Sequence, residues 1–255
     1  MKPFRLILSV LLVLSLAGIA YGGTLEDVRA KGFIQAGVNG DLPGFGKADE
    51  KGVWRGLDVD TARAVAVAVF GDADKVKFTP LTAKTRFTAL QSGEIDVLTR
   101  NCTQTLGRDT ALGLDFCQVN YYDGQGFLVP KKLGVKSAME LDGAAVCVLP
   151  GTTTELNVAD FFRANGMKMK PVVIENTAEL TKAFFAGRCD CLTSDASQLA
   201  GHRSSAANPK DYIILPEIIS KEPLAPAVRH GDNHWKDIVN YSILAMINAE
   251  ELGIT

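Results

Sequence analysis

Apolar and polar positions along this chain follow two alternating periods. Short runs rich in Val, Ile, Phe and Leu, "FIQAGV" (33–38), "VKFTPL" (76–81) and "IDVLTR" (95–100), read as strands. Between them the spacing becomes helical. In "LDVDTARAVAVAVFG" the side chains of Ala62, Val65, Ala66 and Val69 share one face, Asp58 is placed to cap the first turn, and Gly71 stops the last. "AKTRFTALQSG" is a second helix, ending at Gly93. This strand–helix order predicts a parallel sheet with helices on its faces, because parallel neighbours need a long crossover.

A second set follows. "AAVCVLP" (144–150), "PVVIE", "CDCLTSD" and "DYIILP" (211–216) are strands; "TTTELNVADFFRANG" and "TAELTKAFFAG" are helices ended by Gly166 and Gly187. No close sequence repeat relates the two sets. A chain of 255 residues is longer than one small core usually serves, so the two sets predict two lobes. Between them lies "FCQVNYYDGQGFLVPKK", and after the second comes "ISKEPLAPAVRHG"; both are extended and lack a helical period. Read as crossovers, they take the chain into the second lobe once and back once, and the final helix, "WKDIVNYSILAMINAEELG", rejoins the first. The expected division is 23–124 with 225–255 for lobe one and 125–224 for lobe two. Two such connections form a hinge, since a few dihedral changes rotate whole lobes.

Residues 1–22 stand apart. Lys2 and Arg5 precede the apolar "LILSVLLVLSLAGIA", and small residues follow at Ala20, Gly22 and Gly23, the pattern of a secretory signal. The apolar run is shorter than the ~20 residues of a spanning helix, so the rest is expected to be a soluble exported protein. The formal net charge of −2 gives no general pull toward nucleic acid or an anionic membrane.

Export changes how the cysteines read. Cys102, Cys117, Cys147, Cys189 and Cys191 are an odd set, which in an oxidising compartment allows two bridges and one thiol. The expected pairs are Cys147 with Cys189, both in apolar strand-like segments, and Cys102 with Cys117, which flank a polar loop. A metal site at Cys189 and Cys191 is the alternative; no histidine lies near it, and neither a metal nor a cofactor is expected.

In open α/β sheets ligands sit beyond the carboxyl ends of the strands. There, directly after "IDVL", lies "TRNCTQTLGRDT", dense in hydroxyls, amides and arginine: Arg100, Asn101, Thr103 and Arg108. A guanidinium fork matches a carboxylate; Arg108 either points back into a cleft or pairs with Asp109 on the surface. "LPGTTTE" (149–155) joins a strand to a helix, with Thr152 or Thr153 as cap and Glu155 completing a capping box. It is either an ordinary cap or an anion site at a helix N-terminus, and no phosphate loop, since the required Lys is missing. Asp195 either holds an ammonium group or caps "ASQLAGH". Phe45, in the loop "NGDLPGFG", and Trp54 either cover the apolar part of a ligand or are core. A cation for a carboxylate, an anion for an ammonium and aromatics beside them form a recognition kit for a free α-amino acid, split across two lobes.

These segments resemble the periplasmic solute-binding proteins of polar or general L-amino-acid ABC transporters. The resemblance runs from about Thr24 to the last residue and is carried by "GLDVDTARAVAVAVFGDADKV", "LTAKTRFTALQSGEIDVLTRN", "LGRDTALGLDF", "YYDGQGFLV", "GTTTELNVADFF", "GRCDCLTSD" and "ISKEPLAPAVRHGD". It implies the two-lobed α/β type II (flytrap) fold, with two mixed or parallel sheets joined by two crossover strands. It implies a periplasmic monomer that closes on one L-amino acid and delivers it to an inner-membrane ABC permease. Arg108 matches the arginine that grips the ligand carboxylate, Arg100, Asn101 and Thr103 match polar contacts before it, and Leu149, Thr152 and Thr153 match the lobe-two turn. Asp195 matches the aspartate on the α-ammonium, and Phe45 the loop packed on the ligand side chain. Relatives of this kind usually continue past "INAEELG" with further helices, so exposed apolar surface is expected at that end of lobe one. Cys102 and Cys117 stand where small or hydroxyl residues are expected, and a bridge there would stiffen the loop beside the pocket.

Two other functions fit the same scaffold. A periplasmic dehydratase or lyase needs a general acid or base in the cleft; His202, His230 and His234 are the only histidines and none falls in a candidate loop. A ligand sensor would have to act through a receptor partner.

Overall fold

The computed structural model describes residues 23–254; the expected signal segment lies outside the described residues. Lobe one opens with α1 (Thr24–Lys31) and β1 (Ile34–Val38). A small antiparallel flap follows, made of β2 (Asp41–Leu42), β3 (Gly46–Ala48) and β4 (Trp54–Arg55). Next come α2 (Leu57–Phe70), β5 (Val76–Pro80), α3 (Arg86–Gln91), β6 (Val97–Leu98), α4 (Leu106–Ala111) and β7 (Leu114–Phe116). The chain crosses on β8 (Tyr121–Asp123). Lobe two contains β9 (Gln125–Pro130), β10 (Ala145–Val148), α5 (Thr153–Ala164), β11 (Lys170–Val173), α6 (Thr177–Phe185), β12 (Cys191–Asp195), α7 (Ala196–Ser204) and β13 (Tyr212–Ile214). It returns on β14 (Glu222–Leu224), adds β15 (Ala227–Arg229), and ends in α8 (Asn233–Glu251).

Each lobe has a five-stranded mixed sheet, ordered β5-β1-β6-β15-β7 and β11-β10-β12-β9-β13. In the first, β5, β1 and β6 are parallel and β15 runs against β6 and β7. In the second, β11, β10 and β12 are parallel and β9 runs against β12 and β13. The sheet of lobe one is thus completed by a strand that follows lobe two in sequence. The crossovers β8 and β14 pair with each other, Glu222 opposite Asp123 and Leu224 opposite Tyr121. This short ladder is where the sequence places the hinge.

Strand alternation sorts the cores onto opposite faces. In lobe one, Val97 and Val228 pack with Ala62, Val65, Ala66, Trp235 and Val239 from α2 and α8. Their chain neighbours Leu98 and Ala227 face the other way, toward Leu90 and Ile95. The predicted face of α2 is the buried one, and Gly71 terminates it in the left-handed region at φ 69°. Asp58 does not cap that helix: Gly56 holds the cap position, and Asp58 is buried in the first turn.

The same two faces correct half of the cysteine expectation. Cys147 and Cys189 form a disulfide with Cα atoms 5.6 Å apart. Cys102 and Cys117 are both buried and free. Cys117 packs on the α2–α8 side of the lobe-one sheet and Cys102 on the other, so the sheet stands between them. Cys191 is likewise free, on the face of the lobe-two sheet opposite the disulfide.

The lobes touch beyond the hinge. Lys84 of lobe one lies 3.6 Å from Glu175 of lobe two, and Thr82 donates to the same carboxylate at 3.2 Å. Gly201 in α7 approaches the flap so closely that a Cβ atom there would stand 2.9 Å from the Pro43 carbonyl oxygen. At the far end of α8, Leu252 and Ile254 are exposed beside a groove lined by Leu57, Ile243, Met246 and Ile247.

Candidate functional site

A small, partly enclosed cavity lies between the lobes. From lobe one it is lined by Asn39, Arg86, Arg100, Asn101, Thr103 and Arg108; from lobe two by Leu149, Thr152, Thr153, Thr154, Thr193, Ser194, Asp195 and Gln198. The structure therefore brings together the polar candidates Arg100, Asn101, Thr103, Arg108, Thr152, Thr153 and Asp195 with Leu149, and leaves the aromatic candidates Phe45 and Trp54 outside this lining. Phe45 lines a neighbouring, more open hollow with Leu57, Ala200 and Gly201, and packs edge-on against Tyr121 at 5.6 Å. Trp54 of the flap packs at a tilt against Phe78 of β5, with ring centroids 5.3 Å apart.

The lobe-one wall is built on the turn after β6. Asn101 is the only non-glycine with positive φ (22°) among the described residues, and such strain persists where surroundings over-determine it. Here the Asn101 N–H donates to Asp58 Oδ2 at 3.1 Å. Two bonds then pin the loop to the return crossover: Gln104 N–H to the Pro223 carbonyl (2.8 Å) and Ala225 N–H to the Cys102 carbonyl (2.9 Å). Arg100 is almost wholly buried, with Nε donating to the Leu81 carbonyl at 2.9 Å. Arg108 donates to the Thr103 carbonyl at 2.8 Å and lies over the Phe87 ring. Asp109 is not its partner; that carboxylate accepts from Phe116 N–H. Arg86, which sequence reasoning missed, is 3% exposed, and its Nε has no partner.

This wall is strongly positive. Among the described residues none of the three arginines lies within 4.0 Å of a carboxylate oxygen. Burial, and then the neighbouring charge of Arg86, bring Arg100 down to about 9 and Arg108 to about 10. Burial raises Asp58 to about 7, against the opposing pull of the Asn101 N–H and the Arg100 charge.

The lobe-two wall is built from a helix start and a strand end. Gly151 turns the chain at φ 71°, and Thr152 caps α5, its hydroxyl accepting from Glu155 N–H at 3.0 Å. The same hydroxyl donates to the Leu149 carbonyl, and Glu155 reaches back to Gly151 N–H at 2.8 Å. The Thr152 hydroxyl is thus engaged within its own turn. What this turn offers the cavity is Thr153, Thr154 and first-turn N–H groups, which have no intrahelical acceptor. Asp195 occupies the cap position of α7 but caps nothing; it accepts from Gln198 Nε2 at 2.6 Å, and Gln198 in turn accepts from Ser194 at 3.0 Å. Burial, with the charges of Glu222 and Asp123 behind it, raises Asp195 to about 8. A second carboxylate or an incoming cation would therefore have opposite effects here: the first adds repulsion, the second restores the charged form. Positive charge on one wall and a carboxylate on the other suit a small zwitterion.

A family model for bacterial extracellular solute-binding proteins, family 3, matches residues 34–253. Over 239 residues the chain is 61% identical to the general L-amino acid-binding periplasmic protein AapJ of Rhizobium johnstonii, which covers 94% of this chain and 70% of that protein. It is 57% identical to the glutamate/glutamine/aspartate/asparagine-binding protein BztA of Rhodobacter capsulatus, over all of this chain and 75% of that one. A solved periplasmic binding protein of an ABC transporter from Brucella ovis, with glutathione bound, superposes with a TM-score of 0.89 at 59% identity, covering 92% of this chain and 74% of that one.

Proposed function

Because this chain belongs to the bacterial extracellular solute-binding proteins, family 3, we propose that it captures an L-amino acid with an acidic or amide side chain between its lobes and hands it to an ABC permease. The observation that carries this reading is the opposition across one cavity of three guanidiniums and Asp195. Arg108 takes the ligand α-carboxylate, helped by Asn101 and the first N–H groups of α5, with Thr103 lining the cavity beside them. Asp195 takes the α-ammonium. Arg86 and Arg100 face the far end of the ligand, where a carboxylate or an amide oxygen satisfies donors that otherwise stay buried and unpaired. Leu149, Thr152 and Thr153 complete the lobe-two wall. Phe45 contributes from its adjacent hollow by shaping the flap.

The relatives support this choice. AapJ is named for L-amino acids in general and BztA for glutamate, glutamine, aspartate and asparagine. The Brucella ovis protein holds glutathione, whose glutamyl end carries a free α-ammonium and α-carboxylate. We read the chain as a periplasmic monomer exported by its N-terminal segment, and as a carrier rather than a dehydratase, lyase or sensor: its named relatives are binding proteins.

Closure is driven only by the ligand's preference for the closed form over the open one. Titration calorimetry of ligand-free protein against the common L-amino acids tests the reading, with mass spectrometry of the native protein to identify what it carries. Glutamate, glutamine, aspartate and asparagine are expected to bind most tightly. An affinity for L-glutamate no better than for γ-aminobutyrate, which lacks the α-carboxylate, would remove the clamp on which the assignment rests.

A further inference from the structure

Glu222 sits on the return crossover β14, outside the cavity lining, and is 1% exposed. Donors from three segments of the chain converge on its carboxylate. Thr103 of lobe one donates to Oε2 at 2.5 Å, and Thr153 of lobe two donates to the same oxygen at 2.9 Å. Asn157, one turn further along α5, donates to Oε1 at 2.8 Å, and the Ser220 hydroxyl donates to the same oxygen. The two threonine hydroxyls stand 3.4 Å apart and both line the cavity. A hydroxyl has one proton, and a carboxylate only accepts. Once each proton is committed to Glu222, lone pairs are what these hydroxyls turn to the cavity.

We propose that Glu222 is a positioning residue that couples lobe closure to the polarity of the site: by holding one hydroxyl from each lobe, it makes that corner of the cavity an acceptor surface for the ligand ammonium. The inference rests on the amino-acid reading above and adds to it a residue that touches no ligand. It follows that the corner is complete only when the lobes are closed. Opening withdraws Thr153 and Asn157 from Glu222 while Thr103 and Ser220 stay, so the carboxylate loses half its donors, and closure restores them. It also follows that Glu222 stabilises the ammonium by orientation together with its own charge.

The test compares L-glutamate with glutarate, which keeps both carboxylates and lacks the ammonium, and repeats the comparison with L-glutamine and glutaramate. In Glu222→Gln the amide nitrogen must donate, so one threonine hydroxyl turns its proton toward the cavity. Calorimetry on the full chain is expected to show affinity for the amino acid falling about tenfold or more, while affinity for the des-amino analogue changes less than about twofold. Thr153→Val, which keeps the shape and removes the hydroxyl, is expected to give the same selective loss and serves if Glu222→Gln does not fold. Equal losses for both ligands in each pair, or no loss for either, overturn the proposal by reducing Glu222 to a structural contact. Wild-type protein that binds neither amino acid overturns the amino-acid reading itself, and with it this inference.

Discussion

The two walls of the cavity are built in opposite ways. The lobe-one wall carries its charge permanently: Arg86, Arg100 and Arg108 are held by backbone carbonyls and the Phe87 face, not by carboxylates. The lobe-two wall carries hydroxyls, a helix start and one carboxylate whose charge burial opposes. The difference gives the lobes different tasks. On the function proposed above, lobe one selects an anion while the cleft is open, and lobe two completes the site around a ligand that brings a cation to Asp195.

The sharpest way to break this comparison is Arg108→Ala. It removes one partner of the ion pair buried on closure, so we expect a loss of about 3–5 kcal/mol in ligand affinity by calorimetry, or roughly a hundred- to several-thousand-fold. Near-unchanged affinity would mean that the anion is held elsewhere. Arg86→Met tests a finer point, whether the unpaired Nε reads the side chain. It should cost glutamate about 1.5–3 kcal/mol more than it costs leucine. An equal loss for both ligands would reduce Arg86 to general electrostatics.

Much of this architecture is legible in the sequence because local rules and tertiary needs agree. The α2 face at Ala62, Val65 and Ala66 packs as its spacing predicts, and the polar loop after β6 falls where an open α/β sheet places ligands. The misses have specific causes. Arg86 opens a short helix whose pattern only marks it as polar; its direction into the cleft depends on how α3 sits on the sheet. Asp58 has the position of a cap, but a backbone N–H more than forty residues away holds it instead. Cys102 and Cys117 flank one loop in sequence, yet the loops that follow β6 and β7 leave them in the cores on opposite faces of the sheet. Glu222 lies in a segment without period, and two of its donors, Thr153 and Asn157, reach it only where the lobes meet.

Closure itself depends on a missing side chain. The Gly201 backbone meets the Pro43 carbonyl across the cleft, and a Cβ would stand 2.9 Å away. Overpacking of that kind typically costs about 1–3 kcal/mol. Gly201→Leu is expected to weaken ligand binding by that amount by biasing the protein toward the open form. Because the contact is between lobes and not within one, the melting temperature of the unliganded protein should move little. A melting temperature that falls in step with affinity would place the fault inside α7.

The last expected effect concerns protons. In the closed arrangement Asp195 is raised to about 8, chiefly by burial, whereas opening the cleft rehydrates it and lowers it toward the ordinary carboxylate value near ~4. Between those values the empty closed form binds a proton that the open form does not. Acid therefore favours empty closure, and that favour is lost as pH rises through about 8, no more steeply than about tenfold in the closed-to-open ratio per pH unit. A fluorophore pair, one on each lobe, reads this ratio directly in ligand-free protein. Asp195→Asn mimics the protonated carboxyl, so at pH 8 it should close without ligand as readily as wild type does at acid pH, and it should lose the dependence. Wild type whose empty closure instead increases with pH would put the responsible group on lobe one, and the contrast between a permanently charged wall and one charged by its ligand would have to be reversed.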